Sequence, residues 1–157
     1  MLVTAALATL FQGNALGQYE NARFKFSTLY PKNWTQARPP DNGDGQTWTS
    51  PDGKSRFWCW GGWNASDLTV QSSYKSQLAE LTKAGAKVTY KAQKGDWWVV
   101  SGTNLGKAND QFYYRMWIRK STVKGFRFVY AKSEQKQLDR LIGDVSKSFD
   151  PGPDSGF

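Results

Sequence analysis

Aromatic residues set at alternate positions between short turns marked by Gly and Pro constrain this chain more than any other feature. Eight Trp, seven Tyr and nine Phe are spread over 157 residues, and each ring has about 150–250 Å² to withdraw from water. Where such residues alternate with polar ones the chain reads as half-buried strand. Residues 23–30 put Phe24, Phe26, Thr28 and Tyr30 on one face and Arg23, Lys25 and Ser27 on the other, and Pro31 stops the run. Residues 111–119 set Phe112, Tyr114, Met116 and Ile118 against Tyr113, Arg115, Trp117 and Arg119.

Three hairpins follow from the turn chemistry. Segments 46–49 and 55–60 flank Ser50-Pro51-Asp52-Gly53, which suits a type I turn, and Gly61-Gly62 ends the second of them. Segments 87–92 and 97–102 flank Gln93-Lys94-Gly95-Asp96, and 111–119 pairs with 126–131 around a loop ending in Gly125. Two stretches carry helical periodicity instead. In 72–84, Tyr74, Leu78 and Leu81 recur at i, i+4 and i+7 between a Ser N-cap and Gly85. In 133–149, Leu138, Leu141, Ile142, Val145 and Phe149 form one apolar stripe. Gly143 costs that helix about 1 kcal/mol, outweighed by side chains worth roughly 1.5–3 kcal/mol each when buried. The expectation is one α+β domain over 23–150, a mainly antiparallel sheet flanked by helices as an α/β/α sandwich, with a loose tail at 151–157.

The first seventeen residues read differently. An uncharged apolar run from Leu2 to Phe11, followed by Ala15-Leu16-Gly17, matches the apolar region and small-residue cleavage site of a secretory signal. It is too short to span a bilayer. Export to a periplasm or the exterior is expected, with a mature start near Gln18. The other reading is a helix packed on the domain.

Chemistry is limited by what is missing. There is no His, which removes the commonest general base and metal ligand. Ser101 lacks the G-x-S-x-G frame. Asp41-Asn42-Gly43-Asp44-Gly45 fails as a calcium loop, because positions 3 and 5 are Gly and position 12 is Asp52. No cofactor or metal is expected, and distant Asp carboxylates that meet in space leave an Asp-dependent hydrolase as one alternative. Lone Cys59, between Trp58 and Trp60, excludes an intrachain disulfide and reads as a small buried side chain. Lys and Arg exceed Asp and Glu by 21 to 13, a net charge of +8 without basic runs. That balance fits a solvated surface or attraction to an anionic partner.

Several segments together resemble the PsbP-like superfamily, which also holds a Ran-GTPase nucleotide-release factor and many exported bacterial domains. They are Phe24-x-Phe26 with Tyr30-Pro31-x-x-Trp34, the stretch from Asp41 to Gly53 that contains Gln46-x-Trp48-x-Ser50-Pro51, Trp98-Val99-Val100-Ser101-Gly102, and a last helix ending Ser148-Phe149. The resemblance covers about 23–150. It implies an antiparallel sheet between helical layers and non-enzymatic work: stabilising an assembly, chaperoning or binding a partner. No residues match those that bind manganese-cluster components or Ran.

Two sets of residues are candidate sites. Tyr113, Arg115, Trp117 and Arg119, joined by Arg127 on the paired strand, interleave basic and aromatic groups and are expected to bind a protein or assembly partner. The competing reading is that they anchor a covering layer. Trp58, Trp60 and Trp63 are a candidate platform for sugars, with Trp63 the most exposed, and core burial is the competing reading. The main functional expectation is an exported, non-catalytic domain that binds a protein or assembly partner. A glycan- or wall-binding module is its rival, and export disfavours nucleic acid.

Overall fold

In the computed structural model, which describes residues 15–155, alternation and turn chemistry resolve into nine strands and two α-helices. The strands are β1 (Leu16–Glu20), β2 (Ser27–Pro31), β3 (Thr35–Gln36), β4 (Gly45–Thr49) and β5 (Ser55–Trp63), then β6 (Lys87–Lys94), β7 (Trp97–Leu105), β8 (Asp110–Ile118) and β9 (Thr122–Tyr130). Helix α1 (Val70–Lys83) lies between β5 and β6, and α2 (Gln135–Ser148) follows β9 after one 3-10 turn. Strands β3 to β9 form one antiparallel sheet in the order β3-β4-β5-β9-β8-β7-β6, while β1 and β2 make a separate two-stranded ribbon.

The ribbon and α2 together cover most of one face of the sheet. Tyr30 of β2 stacks on Trp48 of β4 with centroids 4.9 Å apart, Trp48 on Phe57 of β5 at 5.1 Å, and Phe57 on Phe128 of β9 at 4.5 Å, all within 16° of parallel. The stack crosses four strands because Trp48, Phe57 and Phe128 are directly opposite one another in register. Phe149, just past α2, stacks on Phe26 and Trp117 and continues the core under the helix. The apolar stripe of α2 buries Leu138, Leu141, Ile142 and Val145, as its periodicity predicts. On the other face Leu81 of α1 closes over Trp98, Val100, Phe112, Tyr114, Met116 and Ile118. Helix α1 touches β6, β7 and β8. It begins two residues earlier than expected because Thr69, not a Ser, caps it: the Ser72 N–H donates to Thr69 Oγ1 and the Thr69 N–H to Ser72 Oγ.

The structure revises several boundaries. Strand β2 starts at Ser27, because Lys25 takes a left-handed φ of 55° and the Asn21 carboxamide accepts from the Phe24 N–H at 2.7 Å to make a turn. Phe24 and Phe26 are nonetheless buried. Strand β5 runs through Gly61-Gly62 to Trp63. Gly125 sits inside β9 and not in a loop: a Cβ there would lie 2.5 Å from the Arg115 carbonyl oxygen and 2.3 Å from the Met116 sulfur. It marks a close approach of neighbouring strands, and the turn falls at 119–121. The ordered unit also exceeds the expected 23–150 at both ends, with β1 before it and residues 151–155 after. The expected export signal falls mostly on residues 1–14, outside the described residues. A cut at Gly17–Gln18 would fall within β1, where Gln18 faces Leu29. No helix among the described residues is long and apolar enough to cross a membrane.

Candidate functional site

Strand parity does bring Tyr113, Arg115, Trp117 and Arg119 to one face, but that face is covered. The Arg115 guanidinium lies between the rings of Trp97 and Trp117, 4.6 and 4.7 Å from their centroids, and donates to the Ser146 carbonyl of α2 at 3.1 Å. Ser146 Oγ donates to the Tyr113 hydroxyl at 2.7 Å, and Trp117 is 6% exposed. Arg119 pairs with Asp96 at 2.6 Å and reaches the Gly152 carbonyl. These side chains hold α2 and the carboxyl-terminal segment in place, the anchoring reading. Arg127 does not join them. It sits opposite Tyr114 in register and so projects from the α1 face, between Trp60 at 4.9 Å and Tyr114 at 4.7 Å, with Gln77 of α1 accepting at 3.0 Å. Burial lowers its pKa, which the neighbouring Tyr114 and Glu80 partly oppose.

The carboxyl-terminal segment is held by a group that sequence reasoning missed. Lys124 is 1% exposed, and its ammonium donates to the carbonyls of Pro151, at 2.8 Å, and Pro153. Asp154 accepts from the Ser121 N–H and from Thr122 Oγ1 at 2.8 Å. Burial, then the charge of Arg119, pulls the Lys124 pKa below the ordinary lysine value. Its partners are main-chain carbonyls, so no side-chain pattern announces the site. The expected loose tail is instead strapped to the β8–β9 turn through residue 154.

The three tryptophans of the candidate platform divide between faces. Trp63 is the exposed one, at 44%, and packs edge-on to Phe24 on the sealed side. Trp58 and Trp60 are half-buried on the α1 side. Trp60 is occupied by Arg127, whereas Trp58 has no ring or hydrogen-bond partner among the described residues. Of the other five, Trp34, Trp48, Trp98 and Trp117 are buried and Trp97 is half-buried. Burial pushes the Cys59 thiol far above its usual pKa, consistent with an inert core side chain.

One region of the sheet is left without a cover. Helix α1 lies over β6 to β8, so the outward positions of β4 and β5 stay open: Thr47, Thr49, Trp58 and Trp60 are half-buried and Arg56 is exposed. The alternate residues of those strands, Trp48, Phe57 and Cys59, are sealed beneath the ribbon. A shallow hollow of about 200 Å³ opens there, lined by Lys54, Arg56, Trp58, Asp110 and Val129 among others. Arg56 forms no ion pair among the described residues.

A seven-stranded antiparallel sheet with α1 on one face, α2 and a two-stranded ribbon on the other, and an open patch at β4–β5 define the class: this is a PsbP-like α+β fold. Among solved structures that match, the solution structure of cyanobacterial PsbP (CyanoP) from Synechocystis sp. PCC 6803 aligns with a TM-score of 0.65 and 13% identity, over 95% of this chain and 98% of that one. No family model and no curated protein matches the sequence.

Proposed function

We propose that this chain is an exported, non-catalytic binding domain that docks a protein partner on the open β4–β5 face, with Arg56 and Trp58 as its principal contacts. The open β4–β5 face carries this reading: α1 covers β6 to β8 and leaves Arg56 and Trp58 side by side, with no ion pair, ring or hydrogen-bond partner for either among the described residues. Trp and Arg are the residue types most often found at energetic centres of interfaces. A net charge of +8 and an Arg56 with no ion pair among the described residues favour an anionic partner. The PsbP-like fold is consistent with binding work in place of chemistry.

The expected result is that a partner captured from envelope extracts of the native host, once identified and purified, binds Arg56→Ala and Trp58→Ala about tenfold more weakly. Binding to the unmodified chain should weaken as salt rises. Unchanged affinity in both variants, at low and high salt, would overturn the docking surface. Export rests on the apolar segment of residues 2–11. Amino-terminal sequencing of the protein recovered from its host should show that segment removed, and its retention on cytoplasmic protein would refute export.

A further inference from the structure

A second site lies on the opposite face of the sheet, independent of the β4–β5 surface. Helix α2 crosses β8 and β9 but leaves a groove of about 400 Å³ along its flank, floored by β7 and β8 and lined by α2 residues from Gln135 to Lys147. At 1.5 Å per residue that flank is about 18 Å long. The groove contains polar groups that the fold leaves unused. Gln111 is 5% exposed, yet its carboxamide has no hydrogen-bond partner among the described residues. Tyr130, opposite Gln111 in register and 6% exposed, likewise has an unbonded hydroxyl. Burial, with Asp139 adding to it, pushes that phenol up to about 12, so it remains a neutral donor. The half-buried Ser101 hydroxyl on the floor and the exposed Asp139 carboxylate on the wall face the same groove and bond to no other side chain among the described residues. Buried polar side chains are nearly always bonded, so Gln111 and Tyr130, buried as residues but with polar atoms that open onto the groove and bond to nothing among the described residues, mark a place where a ligand supplies partners.

Gly143 points the same way. It interrupts α2 at a cost to the helix, yet a Cβ there would meet nothing within 4 Å. No packing contact requires glycine at this position. Its missing side chain keeps the groove open, since it is one of the lining residues.

We propose that this groove binds a short neutral oligosaccharide. The free groups are a carboxamide that both donates and accepts, a phenol, a hydroxyl and a carboxylate, in line with the donor-and-acceptor character of sugar hydroxyls. A peptide is less well suited. The deepest unbonded groups, Gln111 and Tyr130, lie on β8 and β9 in the interior of the sheet, away from the edge strand β6 to which an extended peptide would add.

The test is NMR titration of the full chain with maltotetraose, cellotetraose and chitotetraose, and with the pentapeptide Gly-Ser-Gly-Ser-Gly as the competing class. The expected result is that one sugar shifts the Gln111 side-chain amide and the Ser101 and Gly143 backbone signals. Gly143→Leu should weaken that binding at least tenfold while raising Tm by about 2–4 °C, because the helix gains propensity. Gln111→Leu should weaken binding equally without lowering Tm, and Trp58→Ala should leave it unchanged. If Gly143→Leu lowers Tm instead, the glycine serves packing and Gln111→Leu alone decides the matter. The proposal is overturned if no sugar shifts the groove, if shifts centre on Trp58, if only the peptide binds, or if Gln111→Leu binds normally.

Discussion

Replacing Trp48 with Ala is expected to lower stability by about 3–5 kcal/mol. Its ring is fully buried and stands between Tyr30 and Phe57, so truncation opens a cavity in the middle of the four-ring stack that joins the ribbon to the sheet. Trp48→Phe gives the contrasting result. The indole N–H is buried with no partner among the described residues, and such a donor carries a desolvation penalty of about 1–3 kcal/mol. Phe discards that penalty while keeping an aromatic face in the stack, so its net cost should stay below about 1.5 kcal/mol. Urea unfolding of the three proteins measures both. A loss under about 1 kcal/mol for the Ala variant would show that the ribbon is not coupled to the sheet through this ring.

Arg115→Ala is the second large effect, expected at about 2–4 kcal/mol from two desolvated cation–π contacts and a charged hydrogen bond to the α2 backbone. Arg115→Lys should recover only part of it, because an ammonium lacks the planar surface that lies between two indoles. The measurement separates the two roles considered for this residue. Stability lost in step with any binding defect assigns it to anchoring α2. Intact stability with lost affinity for the identified partner would return it to an interface.

What could be read from the sequence follows the reach of each signal. The stripe of α2 was legible because five apolar residues at helical spacing admit one face. The parity of 111–119 was legible because alternation within a single strand needs no partner. Arg127 lies on the face opposite to the expected one because parity across a hairpin depends on the turn. With Gly125 read as the loop end, nothing located the turn at 119–121, where Tyr114 comes opposite Arg127. Strand β1 was hidden by its neighbour, since Ala15-Leu16-Gly17 reads equally as the end of an apolar leader. The open β4–β5 patch was half visible: alternation put Trp58 and Trp60 together, but only the position of α1 shows which part of that face stays uncovered. The unbonded Gln111 had no signal, because an amide on a strand reveals its missing partner only once its surroundings exist.

The pairing of β5 with β9 has a consequence for how the chain assembles. Strands β6 to β9 form a meander through turns at 95–96, 106–109 and 119–121, so each can zip onto the one before it at small entropic cost. Strand β5 cannot. Its second sheet neighbour, β9, paired with it from Ser55 to Trp63, is separated from it by α1 and three strands, and closing so long a loop is the slow part of building such a sheet. During synthesis the β4–β5 hairpin therefore emerges early and waits, with Trp48, Phe57, Trp58 and Trp60 unshielded, until the last strand has left the ribosome. The aromatic ladder that later holds the molecule together is, in that interval, its most adhesive surface.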